Sequence, residues 1–367
     1  MLVTAAVATG PQRAFVRTEL ELDEPRAGEV RVRLVATGVC HTDAKVRDRM
    51  APGARPIVLG HEGAGVVEAL GPVGDGVSAP QLAVGDHVVL SFDHCGACRH
   101  CRAGFPSYCV EYDARNFGGA RADGSTAFRL DGAPVGSHFF GQSSFADRTN
   151  AALASVIPVP RDLPFELLAP LGCGVLTGAG AVWHALEAQP GSSFAAFGAG
   201  AVGLSAVMAA VVAGCDTIIA VDRHPTRLEL AAELGATHIV DTSQEDAEAR
   251  ILDLTRGGVD RALDTTGVPA VFTTMLRSLG IRGRAAGVAG APSVDFPTQH
   301  LLLRGAGATM LVQGDARPRE IVPRLMQLWQ AGRFPLERLV RTYPVAAIND
   351  AVADSASGAT IKPVLVR

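Results

Sequence analysis

From Phe194 to Cys215 the chain runs for 22 residues without a charge, and Gly198, Gly200 and Gly203 interrupt the first half of that run. By length alone such a stretch could cross a bilayer as one helix, which needs about 20 apolar residues. The glycines argue against that. They divide the run into a short apolar strand ending in FGAG, a tight turn, and an alanine-rich helix, AVGLSAVMAAVVAG, each of ordinary length for a protein in water. A strand, then G-x-G-x-x-G, then a helix is the opening of a unit that binds a dinucleotide. The first glycine allows the turn, the second lets the backbone approach a pyrophosphate, and the third lets the helix close on the strand. Free N–H groups at the helix start then face the phosphates. Asp222 ends the next apolar strand, TIIAVD, 19 residues after Gly203, where a carboxylate accepts from a ribose 2′-hydroxyl. The same carboxylate repels a 2′-phosphate, so NAD is expected over NADP. Arg223 beside it is the residue that would accommodate such a phosphate.

The rest of the chain is sorted by periodicity. At 367 residues it is long enough for two domains, taking roughly 100–200 residues for each. Up to about residue 90 it reads as short strands between glycine turns, in GEVRVRLVATGVC, GHEGAGVVEAL and VGDHVVL, so an irregular barrel or sandwich is expected there. Residues 110–150 have too little periodicity to assign beyond loop with short strands. From about Cys173 the pattern changes to strand–helix alternation, with SSFAAFGAG, DTIIAVD, HIVD, RALDTTG and RGRAAGVAG as parallel strands. The fold class is therefore α/β, a doubly wound parallel sheet domain joined to a mostly-β domain. The boundaries expected are 1–174 for the first part of the β domain, 175–312 for the nucleotide-binding domain, and 313–367 for the remainder of the β domain. That last part offers one amphipathic helix, IVPRLMQLWQAG, and a terminal strand, IKPVLVR.

Seven cysteines, an odd number, argue for reduced thiols rather than a disulfide framework. The start, MLVTAAVATGPQRAF, has no basic segment leading into an apolar core, so the cytoplasm is the expected compartment and no membrane partner is expected. Lys+Arg 33 against Asp+Glu 37 concentrates no positive potential, which disfavours nucleic acid as a partner.

Cys95-x2-Cys98-x2-Cys101-x7-Cys109 packs four thiols into 15 residues. Four thiolates at such spacing can close a tetrahedron around Zn²⁺ with no open position, the structural kind of site. Only Arg99, Arg102 and His100 are basic there and no aromatics interleave, so a nucleic-acid module is not indicated. Elsewhere Cys40 ends a strand in GVCHTD, His61 and Glu62 open GHEGAG, and Cys173 sits in LGCGVLTG. Two cysteines and a histidine would leave a fourth metal position for water or substrate, the catalytic pattern for zinc, although each cysteine taken singly is as readily a small buried residue.

Those segments, with the cysteine lobe and FGAGAVG, stand in the order and approximate spacing of the zinc-containing medium-chain alcohol dehydrogenases, which this chain resembles over nearly its whole length. Within that family SHFFGQSSFA (137–146) and LGCGVLTGAGAV (171–182) are most similar to the aryl-alcohol branch. The resemblance implies a Rossmann domain, a GroES-like catalytic domain with a structural zinc lobe, and two zinc ions per chain. It implies Cys40, His61 and Cys173 as catalytic zinc ligands, Glu62 as the carboxylate close behind the metal, Asp43 as the acid orienting His61, and Thr42 as the hydroxyl receiving the alcohol proton. Cys95, Cys98, Cys101 and Cys109 match the structural lobe. His41 and Lys362 match contacts to the cofactor pyrophosphate, Asp222 and Arg227 contacts to the ribose, alongside Gly198, Gly200 and Gly203. Cys215 matches nothing and reads as core.

One position departs from the family. A histidine often lies five residues after the first zinc cysteine and passes the proton to solvent, but here that residue is Lys45. A desolvated lysine could carry the proton; a surface lysine would be a bystander. Phe92 and the Phe139–Phe140 pair are candidate pocket walls, with core packing an equal alternative for each. The implied function is NAD-dependent interconversion of small primary aryl or allylic alcohols and aldehydes by a homodimer or homotetramer. The alternatives are a dehydrogenase of glutathione adducts, polyols or aliphatic alcohols, or a zinc- and nucleotide-binding protein without turnover.

Overall fold

The computed structural model describes residues 1–72, 82–290 and 293–367. They form two units. The first comprises Met1–Cys173, Arg317–Arg324 and Leu336–Arg367, the second Gly174–Ala316 and Leu325–Pro335.

The first unit carries two mostly antiparallel sheets, as the alternating patterns near the start of the chain require. In one, strands run in the order Ile57–Val58, Leu2–Ala8, Val16–Leu22, Phe128–Leu130 and Ala133–Val135. In the other the order is Val156–Val159, His87–Leu90, Gly63–Leu70, Glu29–Gly38, Lys362–Val366 and Val340–Pro344, with Arg148–Ala152 also pairing along Glu29–Gly38. Strand Glu29–Gly38 is central. Its Val30, Val32 and Leu34 join Val67, Val88, Leu90 and Val156 in one apolar core. The terminal strand pairs antiparallel to it, Val364 opposite Gly38, and so returns Lys362 to the end of the strand that leads into Cys40. Residues 110–150 hold the short strands expected, in a hairpin at 128–135, and beyond them a helix at Tyr112–Phe117 and a buried turn through 137–146.

The second unit is built on a six-stranded parallel sheet. In chain order its strands are Ser193–Phe197, Thr217–Asp222, His238–Asp241, Val259–Asp264, Leu279–Gly287 and Gly307–Met310. In space they lie third, second, first, fourth, fifth, sixth, the order of a doubly wound dinucleotide-binding fold with its switch point beside the first strand. The charge-free run is the strand Ser193–Phe197 followed by the helix Ala201–Ala213, and among the described residues no single helix is long and apolar enough to cross a membrane. Helices Ala247–Thr255, Pro269–Arg277 and Thr298–Arg304 and the sixth strand add to the expected alternation. Three stretches expected in the β domain, Gly174, residues 313–316 and residues 325–335, group with the second unit. In the last of these Phe334 is fully buried and stands edge-on to Trp183, their ring centroids 6.3 Å apart.

Candidate metal centres and nucleotide turn

The four lobe cysteines are all free thiols whose sulfurs lie within 4.8 Å of one another. The Cys95 and Cys98 sulfurs are 3.9 and 3.5 Å from that of Cys101. A disulfide would need about 2.05 Å, whereas the edge of a tetrahedron with Zn–S arms of about 2.3 Å is about 3.8 Å. Backbone donors face the sulfurs: Cys95 N–H points to Cys109 Sγ and Cys98 N–H to Cys95 Sγ, both at 3.3 Å. The half-buried Cys98 thiol is lowered to about 6, first by the Cys101 amide and then by that of Val110. The donor set fits one fully enclosed zinc ion.

The second cluster joins three distant segments. Cys40 stands between strand Glu29–Gly38 and the helix His41–Asp48, His61 and Glu62 precede strand Gly63–Leu70, and Cys173 follows the turn Ala169–Gly172. One donor atom from each of Cys40, His61, Glu62 and Cys173 lies within 4.8 Å of all the others. Asp43, one helical turn after Cys40 and fully buried, ties two of these segments together. Its Oδ2 accepts from Cys40 N–H at 3.0 Å, and its Oδ1 from Gly60 N–H at 3.1 Å and from the His61 ring at Nδ1, 2.8 Å. With Nδ1 so occupied, His61 Nε2 is buried and makes no hydrogen bond. A buried ring nitrogen without a partner, facing two thiols, is a position that a metal would satisfy.

Charge in this cluster is strongly organised. A hydrogen bond from Cys173 holds the Cys40 sulfur well below the usual thiol range, against burial and with help from the His61 and Lys362 charges, and the Cys173 thiol is pushed up in return. Lys362 Nζ donates to both Glu62 oxygens at 2.9 Å and is itself buried. Burial opposes its charge, but the Glu62 carboxylate outweighs burial and raises it above the ordinary lysine value. Gly38 makes this approach possible, since a Cβ there would lie 2.0 Å from Glu62 Oε2. The expected pyrophosphate contact is thus already engaged inside the metal cluster.

The remaining expected residues fall as follows. Thr42 is partly exposed on the helix after Cys40, and His41 is exposed. Lys45 is exposed too, so a desolvated-lysine relay has no burial to rest on. Phe140 stacks on His61, 4.5 Å between centroids and 27° between planes, and Phe139 meets the same ring edge-on at 5.5 Å. Phe139, Phe140 and Phe92 all lie in one buried apolar core, Phe92 near His94 and Tyr112, so core packing accounts for each of them, and Cys215 is buried as expected. Sequence reasoning missed Gln142, whose buried side chain bonds the backbone on both sides of Glu62.

In the second unit, Gly198 has φ +98°, a value that favours glycine. A Cβ on Gly203 would lie 1.8 Å from Gly198 O, so the third glycine is what lets the helix close on the turn, while one on Gly200 would meet nothing within 4 Å, leaving the backbone open to a ligand. Asp222 bonds this turn directly. Its Oδ2 accepts from Ala199 N–H at 2.7 Å, and its Oδ1 from Arg223 and His224 N–H at 2.7 and 3.0 Å. Arg227 Nε is buried without a partner on the following helix. An open glycine turn with a carboxylate and an unpartnered guanidinium nitrogen beyond it fits a dinucleotide.

Residues 26–160 match the family model described as alcohol dehydrogenase GroES-like domain, and 201–330 the one described as zinc-binding dehydrogenase. Geraniol dehydrogenase of Castellaniella defragrans is 42% identical over 353 residues, 95% of this chain and 93% of that one. An alcohol dehydrogenase zinc-binding domain protein from Burkholderia ambifaria superposes with a TM-score of 0.96 at 51% identity, covering 100% of this chain and 99% of that one. Benzyl alcohol dehydrogenase from Acinetobacter calcoaceticus gives 0.94 at 45% with the same coverage.

Proposed function

The chain belongs to the zinc-binding alcohol dehydrogenases, and from that premise we propose that it interconverts primary aryl or allylic alcohols and their aldehydes with NAD. Oxidation would remove a hydride from the carbinol carbon and the proton from the hydroxyl, with NAD⁺ as the hydride acceptor. The observation that carries this reading is His61 Nε2, buried without a hydrogen bond in a cluster with Cys40 and Cys173. Cys40, His61 and Cys173 would hold a catalytic zinc, and Cys95, Cys98, Cys101 and Cys109 a structural one. When bound, the catalytic metal supplies Lewis acidity toward an alcohol oxygen and NAD supplies the hydride acceptor.

The chain's own residues do the positioning. Asp43 fixes the His61 tautomer by taking Nδ1, which leaves Nε2 for the metal. Glu62, clamped by Lys362, keeps a carboxylate beside the thiolates without leaving its charge uncompensated. Thr42 Oγ1 would accept a hydrogen bond from the alcohol and, as it takes that proton, pass its own hydroxyl proton to water, being partly exposed. Phe139 and Phe140 cover His61 with apolar surface, which excludes water from that side of the ring. In the second unit Gly198, Gly200 and Gly203 would receive the NAD pyrophosphate, with Asp222 and Arg227 at the adenosine ribose.

The free thiols suit a reducing cytoplasm. The edge strand Gly307–Met310, with Met310 half exposed and Ile281, Leu302 and Leu303 more than three-quarters exposed, suits a homo-oligomer joined through nucleotide-binding units.

The test is a comparison of kcat/KM across alcohols with NAD⁺. Burying one aromatic ring, or an apolar chain of similar area as in geraniol, contributes roughly 2 kcal/mol, so benzyl and cinnamyl alcohol and geraniol should exceed ethanol by about thirtyfold. An ethanol value equal to or above theirs overturns the aryl and allylic assignment.

A further inference from the structure

Asp43 explains how Cys40 is held to His61, but it does not reach Cys173. A second buried polar group extends toward it through Ser91. Gln142 is fully buried, at the end of the turn that carries Phe139 and Phe140. Its Oε1 accepts from Gly63 N–H at 3.0 Å, and its Nε2 donates to His61 O at 2.9 Å and to Ser91 O at 3.0 Å. Ser91 is buried as well, and its hydroxyl donates to Gly172 O at 2.6 Å, the carbonyl of the peptide leading into Cys173. Buried hydrogen bonds, joined through the covalent frames of Gln142 and Ser91, therefore link the His61 carbonyl to the Gly172 carbonyl, one residue before Cys173.

The chemistry of the path selects a glutamine. One acceptor must meet an amide N–H and two donors must meet two carbonyl oxygens, an inventory that only a primary carboxamide supplies. A glutamate would set a carboxylate against two carbonyls, and an apolar side chain would leave three buried backbone groups without partners. The backbone that delivers Gln142 is itself constrained. His138, Phe140 and Ser143 all have positive φ, at 59°, 53° and 57°, conformations that a non-glycine residue holds only when its surroundings over-determine them. Those surroundings are here: Ser143 Oγ donates to Val58 O at 2.6 Å and accepts from Phe139 N–H at 3.0 Å, Ser144 Oγ meets Thr37 Oγ1 at 2.7 Å, and Thr149 donates to Gln142 O. Gly172 also lies against the strand before Ser91, where a Cβ would be 2.1 Å from Leu90 O.

We infer that Gln142 is a positioning residue for the Cys40–His61–Cys173 centre, setting the distance between His61 and Cys173 through Ser91 as Asp43 sets that between Cys40 and His61. The inference rests on the reading above that these three residues hold a zinc ion. Removing a partner that orients metal ligands typically lowers metal affinity or activity 10–100-fold.

The test compares the holoenzyme with Gln142→Met and with Tyr343→Phe. The latter removes the buried hydroxyl that bonds Asp354 and Thr360, and so controls for lost stability. Zinc released into excess dipicolinate is followed over time. Gln142→Met should lose one of its zinc ions at least tenfold faster than both the unmodified protein and Tyr343→Phe, with the other retained. Its kcat for benzyl alcohol should fall more than its KM changes. Release no faster than from Tyr343→Phe overturns the inference. If Gln142→Met does not fold, Ser91→Ala decides, since it cuts only the link to Gly172: faster release of one zinc supports the path, and unchanged release overturns it. A failure of the underlying reading looks different, because the unmodified protein would then hold no zinc that Cys40→Ser removes.

Discussion

Lys362 reaches 300 residues back along the chain to grip Glu62, with both carboxylate oxygens 2.9 Å from its ammonium and both side chains shut off from solvent. Removing one partner of a buried ion pair typically costs about 3–5 kcal/mol, because the other charge stays buried without compensation. Lys362→Met should therefore destabilise the protein by about 3 kcal/mol in urea unfolding without NAD present, and adding Glu62→Gln should recover part of that loss. Unchanged stability in Lys362→Met would return this lysine to a role limited to the cofactor.

What could be read ahead of the structure depends on how local its cause is. The glycine turn is legible because Gly198, Gly203 and the helix they admit are neighbours, and Asp222 follows one strand later. Two unassigned helices also carry readable starts, in Asp246, whose side chain accepts from Ala249 N–H, and in Pro269. The strand Gly307–Met310 has only four residues and no clear alternation, so nothing announces it. Gln142 lies beyond any such reading. Its partners at Gly63, His61 and Ser91 are 79, 81 and 51 residues away, and a glutamine among serines and glycines looks like a polar loop residue. The pairing of Lys362 with Glu62 is hidden for the same reason.

The two cysteine clusters should respond differently to loss of a thiol. Cys40→Ser removes a donor from the cluster that would stay open to substrate, so one zinc and nearly all turnover should go while the fold remains. Cys101 sits between Cys95 and Cys98 in the lobe, whose short segments pack little core of their own. Cys101→Ser should lower the melting temperature and lose the other zinc. Zinc content by elemental analysis, beside a thermal melt and an activity assay, separates the two, and full turnover by Cys40→Ser would remove that residue from the catalytic centre.

Acid should act on the first unit through Glu29. This buried carboxylate accepts from His138 Nε2 at 2.8 Å, from Arg121 at 2.6 and 3.1 Å and from Arg26 N–H at 2.9 Å. Burial pushes its pKa up, but His138 first and then Arg121 outweigh that and hold it at about 2, against 4.5 in an unstructured chain. Because the folded value is the lower one, the contribution is complete above pH 4.5 and is lost as pH falls toward 2. The loss by pH 3 is about 2 kcal/mol by linkage. Glu29→Gln should be less stable than the unmodified protein at pH 7 and close much of that gap at pH 3, as read by urea unfolding at the two values. A gap independent of pH would mean that the Glu29 charge carries none of this stability.

Asp222 does two things at once, and a substitution there should separate them. Its carboxylate repels a 2′-phosphate, and it also accepts the Ala199 N–H that shapes the glycine turn. Asp222→Gly removes both, so relative use of NADP⁺ should rise while kcat/KM with NAD⁺ falls through a loosened turn. Asp222→Asn keeps one oxygen acceptor for the turn and removes the charge, so more of the NAD⁺ activity should survive for a similar gain with NADP⁺. Arg223, exposed beside it, is then free to meet the added phosphate. Losing one charge–charge repulsion worth about 1.4 kcal/mol corresponds to about a tenfold shift in the NADP⁺ to NAD⁺ ratio of kcat/KM. Steady-state kinetics with both cofactors at low concentration decides it. A ratio unchanged in both variants, or an unmodified protein that already prefers NADP⁺, would show that Asp222 holds the turn and does not choose the cofactor.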